Sequence, residues 1–278
     1  MQQMTKKFGI IGNPIKHSLS PVLHNYWFKK YKIDANYSII DIKDSELPNI
    51  IDKIKSKDLK GINVTLPYKQ KIVSHIDLLI NDAQRTSSVN TVYFDDKDKK
   101  VIGENTDVFG LQAAYLKEVD GAHRKKALII GAGGVSPSVI LSLKKSDFRS
   151  ISITNRTMEK CFFLKKKFNN LNIVEWKDLY QEVKNYDIII NATSLGLKNG
   201  EEFDFDFKDV KKDLIFIDTI YNPLETKTLK YLKEKDAKVF NGLDMFIYQG
   251  QKAFYLWNKI NPEIDQKLID VLKSKLKS

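Results

Sequence analysis

Lys125-Lys-Ala-Leu-Ile-Ile-Gly-Ala-Gly-Gly-Val-Ser136 reads as a buried strand, a glycine turn and the opening of a helix. That order is the setting in which a glycine-rich turn binds a dinucleotide. Gly131 permits the tight turn, and Gly133 with Gly134 lets main-chain amides approach a pyrophosphate at the helix N-terminus, where the helix dipole favours an anion. Gly131, Ala132, Gly133, Gly134 and Val135 are therefore candidate cofactor contacts. Ser136 replaces the third glycine of the usual pattern and is small enough for close packing of helix on strand. Pro137 falls in the first helical turn, where it is tolerated.

Working outward, the next strand ends in Ile153-Thr-Asn-Arg-Thr157. A unit specific for NAD usually carries an acid here for the ribose hydroxyls, and none is present. Asn155 can hydrogen-bond a ribose oxygen, Arg156 can stack on adenine and pair with a 2′-phosphate, and Lys160 lies one turn further along. The set predicts NADP. Thr157 also suits a helix N-cap. Asp187-Ile-Ile-Ile-Asn-Ala-Thr-Ser194 and Asp218-Thr-Ile-Tyr-Asn-Pro223 are further apolar strands that run into small polar residues, so Thr193 and Tyr221 stand at carboxyl ends, where open α/β sheets bind ligands.

Strand-like runs alternate with helix-like ones along the chain, which predicts parallel sheets joined by crossover helices. The exception is Val92–Ile102, whose two short apolar runs around Asp-Asp-Lys-Asp predict a hairpin at a sheet edge. Val108–Val119 is apolar at helical spacing and leads into a polar joint beginning at Asp120. The chain is thus expected to be a two-domain α/β protein: an N-terminal α/β domain over 1–107, a Rossmann-type doubly wound NADP-binding domain over 108–241, and C-terminal helices over 242–278 packing back toward the first domain.

Its 278 residues are 42 % hydrophobic, enough for a substantial core, and the net charge is +11. Forty-two of the 46 basic residues are lysines dispersed among acids, with arginine only at 85, 124, 149 and 156. No basic block or nucleic-acid-binding motif is present, so no nucleic-acid partner is expected. Cys161 is the single cysteine, which excludes an intramolecular disulfide and a C-x-x-C metal site. With no run approaching the roughly 18 apolar residues of a membrane span, no membrane partner is expected either, and the cytoplasm is the expected compartment. The sequence leaves monomer and homodimer equally open.

In the N-terminal half, Asn63 and Thr65 of Gly61-Ile-Asn-Val-Thr-Leu-Pro-Tyr-Lys69 share one face of a strand, and Lys69 follows on a helix started by Pro67. This predicts a ledge presenting an amide, a hydroxyl and an ammonium to a small polar ligand. Ser18 and Ser20 share a face if their segment is extended, and Ser88-Val-Asn-Thr91 and Glu104-Asn-Thr-Asp107 add neutral hydrogen-bonding groups and a carboxylate. Such an inventory suits a polyhydroxylated ring.

With Asn13-Pro-Ile-Lys-His-Ser-Leu-Ser-Pro21, Asn63-Val-Thr-Leu-Pro-Tyr-Lys69, Val89-Asn-Thr91, Asn105-Thr-Asp107, Gly131-Ala-Gly-Gly134, Asn155-Arg-Thr157, Asn191-Ala-Thr193 and Gly242-Leu-Asp-Met…Gln249 in this order, the chain resembles the shikimate dehydrogenase family over almost its whole length. The resemblance implies reversible NADPH-dependent reduction of 3-dehydroshikimate to shikimate, in aromatic amino-acid biosynthesis. It implies Lys69 and Asp107 at the reacting hydroxyl, and Ser18, Ser20, Thr65, Asn90, Asp107 and Gln249 on the substrate, joined by Tyr221 from the cofactor side. It places Thr219 and Gly242 at the nicotinamide pocket. Val108 and the Arg85-Thr-Ser-Ser88 run depart from the family pattern without removing a proposed functional group. A quinate/shikimate dehydrogenase using NAD or both cofactors is the alternative, opposed by Arg156 and the missing acid. A dinucleotide-sensing regulator without turnover is opposed by the presence of both Lys69 and Asp107.

Overall fold

The computed structural model describes residues 5–117, 119, 121–197, 201–205 and 207–276, and divides into two compact units, Met1–Phe109 with Gln249–Ser278 and Gly110–Tyr248. Asp120, where the polar joint was expected to begin, lies outside the described residues. The first unit holds β1 (Lys6–Gly12), β2 (Ala35–Asp41), β3 (Gly61–Val64), β4 (Leu78–Leu79), β5 (Thr91–Asp95) and β6 (Lys100–Glu104), in the order β2-β1-β3-β5-β6-β4. β2, β1 and β3 run parallel, while β3, β5 and β6 pair antiparallel.

The β5–β6 hairpin forms as expected, but it is not at the edge. β4 pairs beyond β6 through Leu78↔Ile102 and Leu79↔Gly103. Two residues are too short a run to leave an alternating pattern, so the true edge strand had no legible signal.

One face of this sheet is aliphatic. Ile50, Ile51 and Ile54 of helix Leu47–Lys55 recur at helical spacing and pack with Ile11, Ile62, Val64, Val92 and Val101. Another part of the core is aromatic: Phe8, His24, Trp27, Phe28, Tyr37, Phe254 and Trp257 lie within stacking reach of one another. Gly61 is what lets Trp257 sit against β3, since a Cβ there would collide with the indole. Helices Ser20–Lys30 and Gln266–Leu276 meet here, and Trp27 Nε1 donates to the Glu263 carbonyl at 3.0 Å.

The second unit carries β7 (Lys126–Ile130), β8 (Ser150–Thr154), β9 (Leu171–Ile173), β10 (Ile188–Asn191), β11 (Ile215–Asp218) and β12 (Lys238–Phe240). Their order, β12-β11-β10-β7-β8-β9, is parallel throughout, the doubly wound arrangement expected. β7 and β10 are buried almost end to end, as a sheet covered on both faces requires. The helix expected over 108–119 is shorter and changes character. Asp107–Leu111 is α-helical, after which 112–116 widen into a π-turn closed by Lys117 N donating to Gln112 O at 3.1 Å. The stretch after Gly242 forms two helices, Leu243–Asn258 and Gln266–Leu276, as expected.

Candidate functional site

Lys69 sits on the short helix Tyr68–Lys71 directly after β3. The helix is pinned by Tyr68, buried with its hydroxyl donating to the Ile42 carbonyl at 2.7 Å, and by Val89 N donating to Lys69 O at 2.8 Å. From this base Lys69 Nζ donates to Asp107 Oδ2 at 2.6 Å, and the two side chains are only 13 % and 7 % exposed. Asp107 opens the helix Asp107–Leu111, and its other oxygen, Oδ1, accepts from Asn90 Nδ2 at 2.8 Å.

Asn90 is the hub. Its Oδ1 accepts from Thr106 N at 2.8 Å, Thr106 Oγ1 at 3.1 Å and Thr91 Oγ1 at 3.0 Å, which fixes which end of the amide faces Asp107. Its Nδ2 also reaches Gln249 Oε1 at 3.3 Å. Lys69, Asp107, Asn90 and Gln249 are thus joined by direct bonds. Thr91 and Thr106 entered the sequence reading only within segments counted as neutral hydrogen-bonding groups for a ligand; the structure has them hold Asn90 instead, an orientation that a threonine beside an asparagine does not signal.

Asn63 does not face a ligand. Its Oδ1 accepts from the Tyr37 hydroxyl at 2.8 Å, and its Nδ2 donates to Asn90 O at 3.0 Å and Thr91 Oγ1 at 3.2 Å, so its amide is consumed inside the sheet. The expected ledge therefore loses its amide, and Thr65 stands one residue past the end of β3. Ser18 and Ser20 differ from expectation as well: Leu19 between them is helical in backbone, Ser20 is the first residue of helix Ser20–Lys30, and Ser20 N donates to Ser18 Oγ at 3.2 Å. They form a turn into a helix rather than one face of an extended segment. Asn13 N donates to Leu66 O at 2.9 Å, which ties the start of the serine loop to the segment bearing Thr65.

In the second unit Gly131 has φ +111°, and a Cβ there would meet Thr193 Cγ2 at 2.7 Å and Ala192 O at 2.8 Å. Only glycine fits both demands. Helix Ser136–Lys145 follows with no side-chain cap and no acid in its first turn, and among the described residues the amides of Gly133 and Gly134 have no acceptor. Ser136 Oγ donates to Gly131 O at 2.9 Å, closing the turn the third glycine would otherwise close by packing. Asn155 Oδ1 accepts from Ala132 N at 3.1 Å and so holds the turn directly. Thr157 occupies the N-cap of helix Met158–Lys167, but its side chain makes no capping bond, contrary to expectation.

The side chains of Arg156 and Lys160 are exposed and form no ion pair among the described residues. Open amides at a helix N-terminus beside two uncompensated cations form a donor set that fits a pyrophosphate and a further phosphate. Thr193 N and Oγ1 donate to Asn191 Oδ1 at 3.0 and 2.6 Å, and Thr219 Oγ1 donates to Asn191 O at 2.9 Å. The Tyr221 ring lies 4.8 Å from that of Phe246. Gly242 N donates to Ile220 O at 2.8 Å.

A separate cleft of about 530 Å³ among Trp176, Tyr180, Phe205 and Lys208 contains none of the residues singled out from the sequence. Among the described residues no group of His, Cys, Asp and Glu is placed to hold a metal, and no helix is long and apolar enough to cross a membrane.

Comparison with known proteins converges on one family. Residues 10–92 match the family model described as the shikimate dehydrogenase substrate binding domain, and 114–225 match that described as shikimate / quinate 5-dehydrogenase. The chain is 46% identical over 269 residues to "Shikimate dehydrogenase (NADP(+))" of Pelagibacter ubique, covering 97% of this chain and 99% of that one. A crystal structure of shikimate dehydrogenase from Aquifex aeolicus superposes with a TM-score of 0.87 at 35% identity, covering 99% and 98% of the two chains. The Thermus thermophilus enzyme, solved in complex with NADP(H) and shikimate, superposes with a TM-score of 0.85 at 28% identity and 98% coverage of each chain.

Proposed function

The chain belongs to the shikimate dehydrogenase family, and from that premise we propose that it reduces 3-dehydroshikimate reversibly to shikimate with NADPH. The first unit would serve as the substrate domain and the second as the NADP domain. The observation that carries this reading is the 2.6 Å contact of Lys69 with Asp107, itself held by Asn90.

When bound, NADPH supplies the hydride that the carbonyl carbon of the substrate receives. Lys69 supplies the proton to the oxygen of that carbonyl as it becomes a hydroxyl, and takes it back in the reverse direction. Asp107, with one oxygen on Lys69 and the other on Asn90, orients the ammonium and the reacting hydroxyl. Ser18, Ser20, Thr65 and Gln249 would hold the remaining hydroxyls and the carboxylate of the ring. Asn90, whose amide is already spent on protein partners, contributes by aiming Asp107.

Gly131 to Val135 would cradle the pyrophosphate, with Asn155 setting the turn. Arg156, Thr157 and Lys160 would take the 2′-phosphate, and Thr193, Thr219 and Gly242 would border the nicotinamide. The unpaired charge of Arg156 and Lys160 favours NADP over NAD. A cytoplasmic monomer or homodimer with no nucleic-acid partner completes the reading. Initial rates of NADPH oxidation with 3-dehydroshikimate test it, alongside NAD with quinate; faster turnover of the second pair would replace this reading with a quinate dehydrogenase.

A further inference from the structure

Asp218 closes β11 fully buried, and its carboxylate accepts from three uncharged donors. Asn191 Nδ2 at 3.1 Å and Ile220 N at 3.0 Å bond Oδ1, and the Thr226 hydroxyl at 3.0 Å bonds Oδ2. Burial raises its pKa from 3.8 to about 6. A carboxylate kept in such a place costs stability, so its presence calls for a use.

What the donors carry suggests the use. Asn191, held by Asp218, orients Thr193 through its Oδ1 and Thr219 through its main-chain carbonyl, which also accepts from Thr219 N at 3.1 Å. Ile220, whose N–H is held by Asp218, accepts from Gly242 N through its carbonyl. A Cβ on Gly242 would collide with the Thr219 carbonyl, so the loops after β11 and β12 are in direct backbone contact. One buried carboxylate thus sets the loops after β10, β11 and β12.

We propose that Asp218 is a positioning residue that fixes the loops bearing Thr193, Thr219 and Gly242, and through them the nicotinamide end of the NADP site. This rests on the NADP site proposed for the second unit. The competing role is a purely structural one, in which Asp218 only steadies Thr226, whose hydroxyl caps helix Lys227–Lys233 by accepting from Leu229 N at 3.3 Å.

Calorimetric titration of the full chain with NADP⁺ and, separately, with shikimate distinguishes the two, each run well below the melting temperature of the variant. Asp218→Ala should weaken NADP⁺ by about tenfold or more, the worth of a hydrogen bond to a charged group, while shikimate affinity stays within about twofold. Asp218→Asn, which keeps an oxygen for Asn191 and Ile220, should restore NADP⁺ binding to within about threefold of wild type. A lowered melting temperature with NADP⁺ affinity unchanged, or equal loss of both ligands, overturns the proposal. Should Asp218→Ala not fold, Asn191→Ala, which severs Asp218 from Thr193, must weaken NADP⁺ binding while shikimate affinity holds; NADP⁺ binding like wild type overturns the proposal as well. Absence of NADP⁺ binding by the wild type would instead refute the cofactor reading of the second unit.

Discussion

Lys69 and Asp107 share a 2.6 Å contact with little exposure of either side chain, so neither can be removed without stranding the other. Lys69→Ala should lower kcat by about 10²–10⁴, the usual worth of a positioned acid/base. Steady-state assays at saturating substrate check this, and a loss below about tenfold means that Asp107 and water move the proton. Asp218 predicts a pH effect of definite sign. Its pKa is about 6 in the fold against 3.8 as the ordinary value, so the ionised form is disfavoured, and stability is lost as pH rises from about 4 through about 6. That difference amounts to about 3 kcal/mol at neutral pH. Asp218→Asn should therefore melt above wild type at pH 7, and the gap should close toward pH 4, which thermal melts across that range measure. At this scale the sequence pointed to Lys69 by its place after a polar-faced strand and to the glycine turn by its setting, whereas Asp107 was paired with Lys69 only by the family resemblance, and the structure brings the two into contact. How the site residues bond was not legible: the alternation that put Asn63 and Thr65 on one face does not show that β3 stops at Val64, nor that Tyr37 arrives from β2 to take the Asn63 amide.

Elements were readable where a long apolar period or a glycine turn marked them. β7, its turn and helix Ser136–Lys145 follow directly from Lys125–Ser136. β4 escaped because a two-residue run has no period, and it is recognised only by the strand it pairs with. The widening at 112–116 was equally hidden, since a π-turn shifts hydrogen bonds by one residue without altering composition. β3 offers an element-scale prediction. Trp257 occupies the space a side chain at Gly61 would need, and the indole is rigid and hemmed in by Phe8, His24 and Tyr37. Gly61→Ala should cost about 1–3 kcal/mol, the penalty of overpacking a filled core. Urea denaturation measures it, and an unchanged midpoint would mean that the indole moves aside freely.

At the scale of the whole molecule, each unit has its own six-stranded sheet and its own buried cluster. Ligands should therefore stabilise them separately. Scanning calorimetry should show NADP⁺ raising one transition and shikimate another; a single transition shifted alike by both would show that the units unfold as one. The sequence suggested two parts because the strand–helix alternation running along the chain is interrupted by the hairpin at 92–102 and the polar joint after it, before resuming around the glycine turn. The first unit is closed by the end of the chain: Trp257 fills the space over Gly61, and Gln249 reaches Asn90. On the ribosome this reverses the order of completion. All of Gly110–Tyr248 has been synthesised before Gln249 exists, so the middle of the chain is free to fold while the first unit waits for its last helices. A nascent chain would be free to fold Gly110–Tyr248 first and could complete the other unit only once Gln249 and the helices beyond it had been made.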